Sequence, residues 1–526
     1  MSDSDNLVDE APVLVDRPLV PPEIRLQEIT LKGLLLGAIL SMALAAANAD
    51  IGLLVGLTVS ASIPAAAVSM GVLRLFRRSN ILENNMVQTA ASAGESLVAG
   101  IIFTIPALVI LGAWGGYEYG PMLAIAIVGG IMGVAFTVPL RRALIVEARL
   151  RYPEGVATAE VLKTGGVESG EGHAEKSAEA ATGFRMLLQA AGLGALVKML
   201  ESGFGVLAGS IATTKAWLGG SYLFLGSVSL SPALIGVGYI VGLNIAVLVF
   251  LGGVIGTVIG VPLNWAFNGT NVMIGAGIDP ATPWGELSQS QWSSLAGQAW
   301  QDCRRIGVGA MIVGGVWSLI SLAKPLASGV KASLEAYRSA KTGGRAGIPR
   351  TEFDTPMNYV LGVALIGLVP VFGIFYYALG DYPGKLGIAL VMTVLMLFFG
   401  FIFSSVAGYM AGLVGSSNNP ISGVTIATVI ISALILVQLM GKEGISATLG
   451  PIAVIYLAGL ICSAAAIAGD NMQDLKCGHI VGATPWRQQL FQVIGVVSAA
   501  LVIPFVLRVL DAGYGSGRVV QEGVTP

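Results

Sequence analysis

Charged side chains are scarce in this chain, although it is long. Asp, Glu, Lys and Arg together make up 11% of its 526 residues, whereas hydrophobic residues make up 54%. Soluble proteins carry about 25% charged residues. Several apolar runs reach the ~20 residues that cross a bilayer, and about thirteen clear spans can be counted. The composition therefore excludes an ordinary soluble domain and predicts an all-α polytopic membrane protein.

Residues that commonly hold metals or carry out covalent catalysis are also few. The chain has three cysteines without paired spacing and two isolated histidines, Cys303, Cys462, Cys477, His173 and His479. It has no HExxH and no GxxxxGK[ST] motif, which excludes the common zinc-protease site and a P-loop for ATP. The net charge of −2 and the lack of a basic patch give no indication of nucleic-acid binding. We therefore predict no enzyme activity, no cofactor, no metal site and no nucleic-acid partner.

The distribution of basic residues predicts the topology. Arg74, Arg77 and Arg78 follow the first apolar segments, so that end is expected in the cytosol together with the N-terminus. The start of the chain is acidic and polar, without the pattern of a signal peptide. We predict a multi-pass protein of the cell (inner) membrane with these parts: a cytosolic tail (1–28), a first transmembrane half (29–323), a cytosolic linker (324–356), a second transmembrane half (357–510) and a C-terminal tail (511–526).

The first two spans are predicted at Leu31–Ala47 and Ile51–Leu73, with Asn48 and Asp50 at the break between them. Polar residues and a proline inside the second span, Ser60, Ser62 and Pro64, indicate a kink or local unwinding. Further along, Phe184–Ser210 is predicted as a span, and the uncharged run Tyr222–Val261 allows two more. The tryptophans that follow suit an interfacial belt, and they are Trp265, Trp284, Trp292 and Trp300.

One stretch combines a polar helix face with a membrane-like apolar segment. Wound at 100° per residue, seven polar side chains fall within an arc of roughly 140°: Asn84, Asn85, Gln88, Thr89, Ser92, Glu95 and Ser96. Amides and hydroxyls both donate and accept, which suits a zwitterionic, amide-rich cargo. We predict that this face binds substrate. The alternative is a polar helix that lies at the water interface.

Two small polar segments closed by proline interrupt the apolar sequence in corresponding places. They are Gly226–Pro232 in the first half and Gly415–Pro420 in the second. Paired interruptions of this kind are typical of transporter binding sites near the bilayer midplane, although a plain kinked or re-entrant segment has the same pattern. The substrate-binding candidates from these segments are Ser229, Ser231, Ser416, Ser417, Asn418 and Asn419.

Ionisable residues inside spans are candidates for proton coupling. Glu95 is the first, because it lies on the polar face beside an apolar span. Lys198 and Glu201 are three residues apart and form either a functional or a merely structural pair. Asp470 and Asp474 are further candidates, although Asp470 followed by Gln473 also fits a helix-capping arrangement.

Four segments together are similar to one known family. ENNMVQTAASAGESLVAGIIFTIPAL, YPEGVATAEVL, GSSNNPISGVTIAT and AGDNMQDLKCGHIVGATPWRQQ occur in this order, and the chain resembles the oligopeptide transporter superfamily, which includes the yellow-stripe-like transporters. Its compact length resembles the prokaryotic branch. The resemblance implies up to about sixteen membrane or half-membrane helices with internal repeats, and a proton-driven importer of short peptides or peptide-like molecules.

Two alternatives stay open at this point. Metal–chelate complexes are a second cargo class within the resembling family, and a passive channel is a different class of function. The expected partners are a small-molecule substrate, protons and the lipid bilayer. The sequence does not fix the oligomeric state, and a homodimer is one form to be considered.

Overall fold

The computed structural model describes residues 18–55, 58–76, 79–165, 210–217, 220–229, 243–303, 349–417, 419 and 421–514, with scattered positions between 185 and 320. The helices are α1 (Leu31–Val55), α2 (Ser62–Leu73), α3 (Ile81–Ile102), α4 (Pro106–Ile110), α5 (Tyr119–Arg141), α6 (Pro153–Gly165), α7 (Leu243–Val254), α8 (Val261–Gly275), α9 (Met357–Ala378), α10 (Lys385–Val414), α11 (Ile421–Met440), α12 (Ile445–Val481) and α13 (Pro485–Tyr514). Two strands, β1 (Ser210–Trp217) and β2 (Tyr222–Ser229), lie between α6 and α7.

The described residues confirm the all-α polytopic class. Nine of their helical segments are long and apolar enough to cross a membrane. The chain divides into two compact units, one drawn from residues 1–184 and 317–526, the other from residues 185–316. The structure describes only part of the span predicted at Phe184–Ser210.

Helices α3 and α12 form the centre of the larger unit. Every residue of α3 is buried, and 94% of the most apolar stretch of α12 is buried as well. They pack on each other and on α1, α5, α10, α11 and α13. Small residues permit this approach, because a Cβ placed on Gly100 of α3 would overlap the backbone of Ser463 in α12.

Helix α1 corrects the predicted break at Asn48 and Asp50. The helix continues through both residues to Val55, and the chain is non-helical at 58–61 before α2 begins. Asn48 lies inside this helix, and its amide donates to the carboxylate of Glu95 in the interior. The unwinding predicted from Ser60 and Ser62 is confirmed, and it leaves α2 as a short helix of 12 residues.

The start of the chain is also better anchored than a free tail. Leu19 and Val20 donate backbone hydrogen bonds to the carbonyls of Ile480 and Val481, at the end of α12. Glu28 is buried there and accepts hydrogen bonds from the backbone and the hydroxyl of Thr484. Residues 18–28 therefore pack on the helical bundle instead of extending from it.

The smaller unit contains a β-hairpin where the sequence predicts the start of a membrane span. Strands β1 and β2 pair antiparallel from Ser210 opposite Ser229 to Trp217 opposite Tyr222. An uncharged run rich in aromatic and β-branched residues fits a strand as well as a helix, so hydropathy alone does not separate them.

Two of the four tryptophans predicted as an interfacial belt do not fit it, whereas Trp284 is 44% exposed. Trp265 and Trp292 are buried in the core of the unit, where they pack with Leu223. The indole nitrogen of Trp265 donates to the carbonyl of Gly220 at 2.8 Å.

Candidate functional site

The polar face of α3 is buried inside the larger unit. Asn80 caps the helix, accepting hydrogen bonds from the backbone of Leu82 and Glu83 at 2.9 and 3.1 Å. From Asn84 to Ser96, none of the polar side chains is more than 4% exposed. The alternative of a polar helix at the water interface is therefore wrong. Buried amides and carboxylates need partners, and these partners come from α1, the segment before α2, α2 itself, α12 and α13.

Helix α12 places a second polar stretch against α3. Asp470 and Asp474 lie inside a helix that continues from Ile445 to Val481, so the alternative of Asp470 as a helix cap is wrong. Gln88 of α3 donates to Oδ1 of Asp474. Ser62 of α2 donates to the same oxygen at 3.2 Å. The polar faces of α3 and α12 therefore meet each other, with the start of α2 between them.

Glu95 lies at the centre of this meeting point. Asn48 of α1 donates to its Oε1, and the backbone amide of Ala61 donates to its Oε2 at 3.3 Å. Asp470, Asp474 and Glu154 are close enough to act on Glu95 electrostatically. Glu95, Glu154, Asp470 and Asp474 are called the carboxylate cluster below.

The helix break predicted at Gly415–Pro420 separates α10 from α11 and contacts the same cluster. Ser416 donates its hydroxyl to Glu154, and the backbone of Ser417 donates to Oε1 of Glu154 at 3.0 Å. The hydroxyls of Ser416 and Ser96 lie beside the carboxylate of Asp470. Asn419 donates to the carbonyl of Ala407 at 3.1 Å and lies against Gly469 of α12.

Glu154 was missed as a site residue. Pro153 and the polar residues of 152–166 are typical of a short surface helix, yet Tyr152 is fully buried and donates its hydroxyl to the carbonyl of Gly408 at 3.0 Å. Burial raises the pKa of the Tyr152 phenol, which keeps it protonated as a donor. Gly155 donates to the side chain of Gln473 at 2.8 Å. The YPEG sequence thus fixes the start of α6 against α10 and α12, and it places Glu154 at the break.

Residues 60–62 join the three parts of the site. The backbone of Ser60 donates to the hydroxyl of Ser417 at 3.4 Å, and the backbone of Ala61 donates to Glu95. The hydroxyl of Ser62 lies 2.9 Å from that of Ser92, in addition to its bond to Asp474. The end of the non-helical segment and the first residue of α2 therefore contact the helix break, α3 and α12 in turn.

Some predicted residues lie at the edge of this cluster. Asn84 accepts from Ser69 at 3.2 Å, and Asn85 donates to Gln88 at 3.2 Å and faces Cys477. Thr89 accepts from Gln488 of α13 at 3.3 Å.

The other half of the predicted repeat belongs to the smaller unit. Gly226–Ser229 lies in strand β2 and does not interrupt a helix. Ser231, Asn418, Lys198 and Glu201 lie outside the described residues.

Within the described residues, no group of three or more His, Cys, Asp or Glu side chains is arranged to hold a metal ion. A separate cleft of about 310 Å³ lies between α9 and α10, but its lining is almost entirely apolar and does not suit a polar cargo. Buried amides, hydroxyls and carboxylates are concentrated instead where α2, α3, α12 and the break meet.

Comparison with known proteins identifies relatives over nearly the whole chain. Residues 28–523 match the family model described as OPT oligopeptide transporter protein. The chain is also 36% identical over 476 residues to a Haemophilus influenzae protein named "Putative oligopeptide transporter", and the match covers 88% of this chain and 70% of that protein.

Proposed function

This chain belongs to the OPT oligopeptide transporter family, and from this premise we propose that it imports short peptides in symport with protons. It is a multi-pass membrane transporter and not an enzyme. In this proposal the N-terminus faces the cytosol. The cargo contacts the polar faces of α3 and α12 and the break between α10 and α11.

A single observation carries the proposal: the polar residues predicted from two distant stretches converge on one buried cluster. Gln88, Ser92 and Glu95 of α3 lie near Ser416 and Ser417 of the break, through contacts with α2, α6 and α12. Polar side chains at membrane depth are costly unless they serve a pathway or a partner. Amide and hydroxyl groups that both donate and accept suit the peptide backbone of a small cargo.

The carboxylate cluster supplies the proposed coupling to protons. Glu95 faces Asp470, Asp474 and Glu154, and four ionised carboxylates in a buried place repel one another. A proton shared among them offsets this repulsion. In this proposal the proton is taken up together with the cargo. Glu95 is the first candidate for the proton carrier, because from α3 it bonds to Asn48 of α1 and to the backbone of Ala61, close to the aspartates of α12.

Uptake of labelled trialanine into proteoliposomes with an imposed pH gradient tests the proposal. We expect accumulation above equilibrium that a protonophore abolishes, and no accumulation by the triple variant Asn84→Ala, Gln88→Ala, Asn419→Ala. Glu95→Gln is expected to remove the dependence on the pH gradient. Glu147→Gln is the matched control, because Glu147 is 45% exposed and pairs with Arg142 at the surface.

Each alternative has its own outcome in this assay. Equilibration without accumulation would assign a passive channel. Competition by iron chelates, but not by tripeptides, would assign chelate cargo. Unchanged pH dependence in Glu95→Gln would move the coupling role to another member of the cluster.

A further inference from the structure

Two members of the carboxylate cluster each have an oxygen without a hydrogen bond, although the hydroxyl of Ser96 lies beside Asp470. Oδ1 of Asp470 and Oδ2 of Asp474 are buried and have no hydrogen-bond partner. The two residues are 7% and 0% exposed. They are four apart on α12, so their side chains lie on the same face, one turn from each other.

The other two members have donors for both of their oxygens. Glu95 accepts from Asn48 and Ala61, and Glu154 accepts from Ser416 and Ser417. Within the carboxylate cluster, both oxygens without a hydrogen bond therefore belong to the pair on α12.

The polar neighbours of this pair are one unpaired hydroxyl, that of Ser96, and further acceptors. Oδ1 of Asn419, whose side chain lies against Gly469, also has no partner. Among the residues that the structure describes, no Lys, Arg or His forms an ion pair with Glu95, Glu154, Asp470 or Asp474. The ion pairs that involve buried carboxylates are Lys32–Glu83, Arg350–Glu28 and Arg487–Glu28.

The donors best placed to bind a cargo carboxylate already donate to carboxylates of the protein. The start of a short helix is a common place for the anionic group of a transported molecule. At the start of α2, the amide of Ala61 donates to Glu95 and the hydroxyl of Ser62 donates to Asp474. A cargo carboxylate would have to displace carboxylates of the protein itself, whereas a cationic group meets unpaired acceptors.

We propose that Asp470 and Asp474 bind the amino-terminal ammonium group of the peptide cargo, with Oδ1 of Asn419 as a third acceptor. An ammonium group has three N–H donors and one positive charge, which matches three unpaired oxygens with which no described Lys, Arg or His forms an ion pair. This inference rests on the proposed peptide import and names the end of the peptide that the cluster recognises.

Three forms of one tripeptide test the inference on the unmodified protein. Proteoliposomes are supplied with trialanine, N-acetyl-trialanine or trialanine amide. We expect acetylation, which removes the cation, to lower uptake by roughly tenfold or more. Amidation of the carboxyl end is expected to leave uptake within about threefold of that of trialanine.

Two variants assign the effect to the pair on α12. Asp470→Asn and Asp474→Asn are each expected to reduce the preference for trialanine over its N-acetyl form. Asp279→Asn is the matched control, because Asp279 lies in an exposed turn where its oxygen accepts from the backbone of Ala281. It is expected to keep the wild-type preference.

The contrary outcomes are distinct. Equal uptake of trialanine and N-acetyl-trialanine would overturn the inference and leave peptide import standing. Uptake that requires sodium and ignores acetylation would also overturn it, and would assign the pair to a sodium ion. No accumulation of trialanine by the wild-type protein would overturn the proposed function and the inference together.

Discussion

Buried carboxylates lie in two different environments in the larger unit. Where α12 ends, Glu28 is fully buried between two arginines, with Arg350 at 2.9 Å and Arg487 at 3.2 Å, and Thr484 donates to it twice. In the middle of α12, Asp470 and Asp474 are just as buried, yet each has an oxygen without a donor.

The difference separates a structural role from the proposed binding role. A buried charge is costly unless a partner compensates it. Glu28 has its compensation within the folded chain, so it holds the N-terminal segment, α12 and α13 together. Asp470 and Asp474 each have one oxygen without a hydrogen bond, which is expected if the partner is a proton or a cargo molecule.

Neutralising Glu28 is expected to have the largest effect on stability. Glu28→Gln leaves Arg350 and Arg487 without their carboxylate, and loss of one member of a buried pair costs about 3–5 kcal/mol. Thermal unfolding in detergent measures this change. Glu160→Gln is the control, since Glu160 is 61% exposed in its pair with Lys163. A melting temperature equal to that of the wild type would remove the contrast between the two environments.

Removal of the hydroxyl of Ser416 is expected to have an intermediate effect. Ser416→Ala loses a hydrogen bond to the carboxylate of Glu154, and hydrogen bonds to charged groups contribute about 1.5–3 kcal/mol. Unfolding of the purified variant gives the value. Ser498→Ala is the matched control, because Ser498 bonds only the carbonyl of Ile494 in its own helix. Equal losses of unfolding free energy in the two variants would show that the bond to Glu154 stabilises the protein no more than a bond within one helix.

Asp474→Asn is expected to have the smallest effect on stability, although it neutralises a fully buried carboxylate. Oδ1 accepts from Gln88 and Ser62, and an amide nitrogen fits in place of the unpaired Oδ2. The free energy of unfolding is expected to stay within about 1 kcal/mol of the wild-type value or to rise. A loss as large as that of Glu28→Gln would contradict the separation of roles.

The sequence was sufficient to predict the polar face of α3, because a helix repeats every 3.6 residues and the face follows from spacing alone. It also marked the break at Gly415–Pro420 and the unwinding before α2. These features depend on local chemistry, namely proline, small polar residues and the period of the helix.

The partners of these features could not be predicted in the same way. Glu154 and Ser416 are 262 positions apart, and Asn48 meets Glu95 only because α1 continues where a break was expected. A face can be predicted without knowing which helix covers it. The hairpin at Tyr222–Ser229 shows the same limit, because an uncharged apolar run carries little information on strand or helix.

The close approach of Gly100 to Ser463 has a consequence for how cargo gains entry. With no room for even a methyl group between them, α3 and α12 are locked in close contact at this point. We therefore expect these two helices, which carry most of the proposed cargo contacts, to move as one body. Opening to either side of the membrane would then fall to the neighbours that hold this body through polar contacts: the 58–61 segment, the start of α6 and the break after α10.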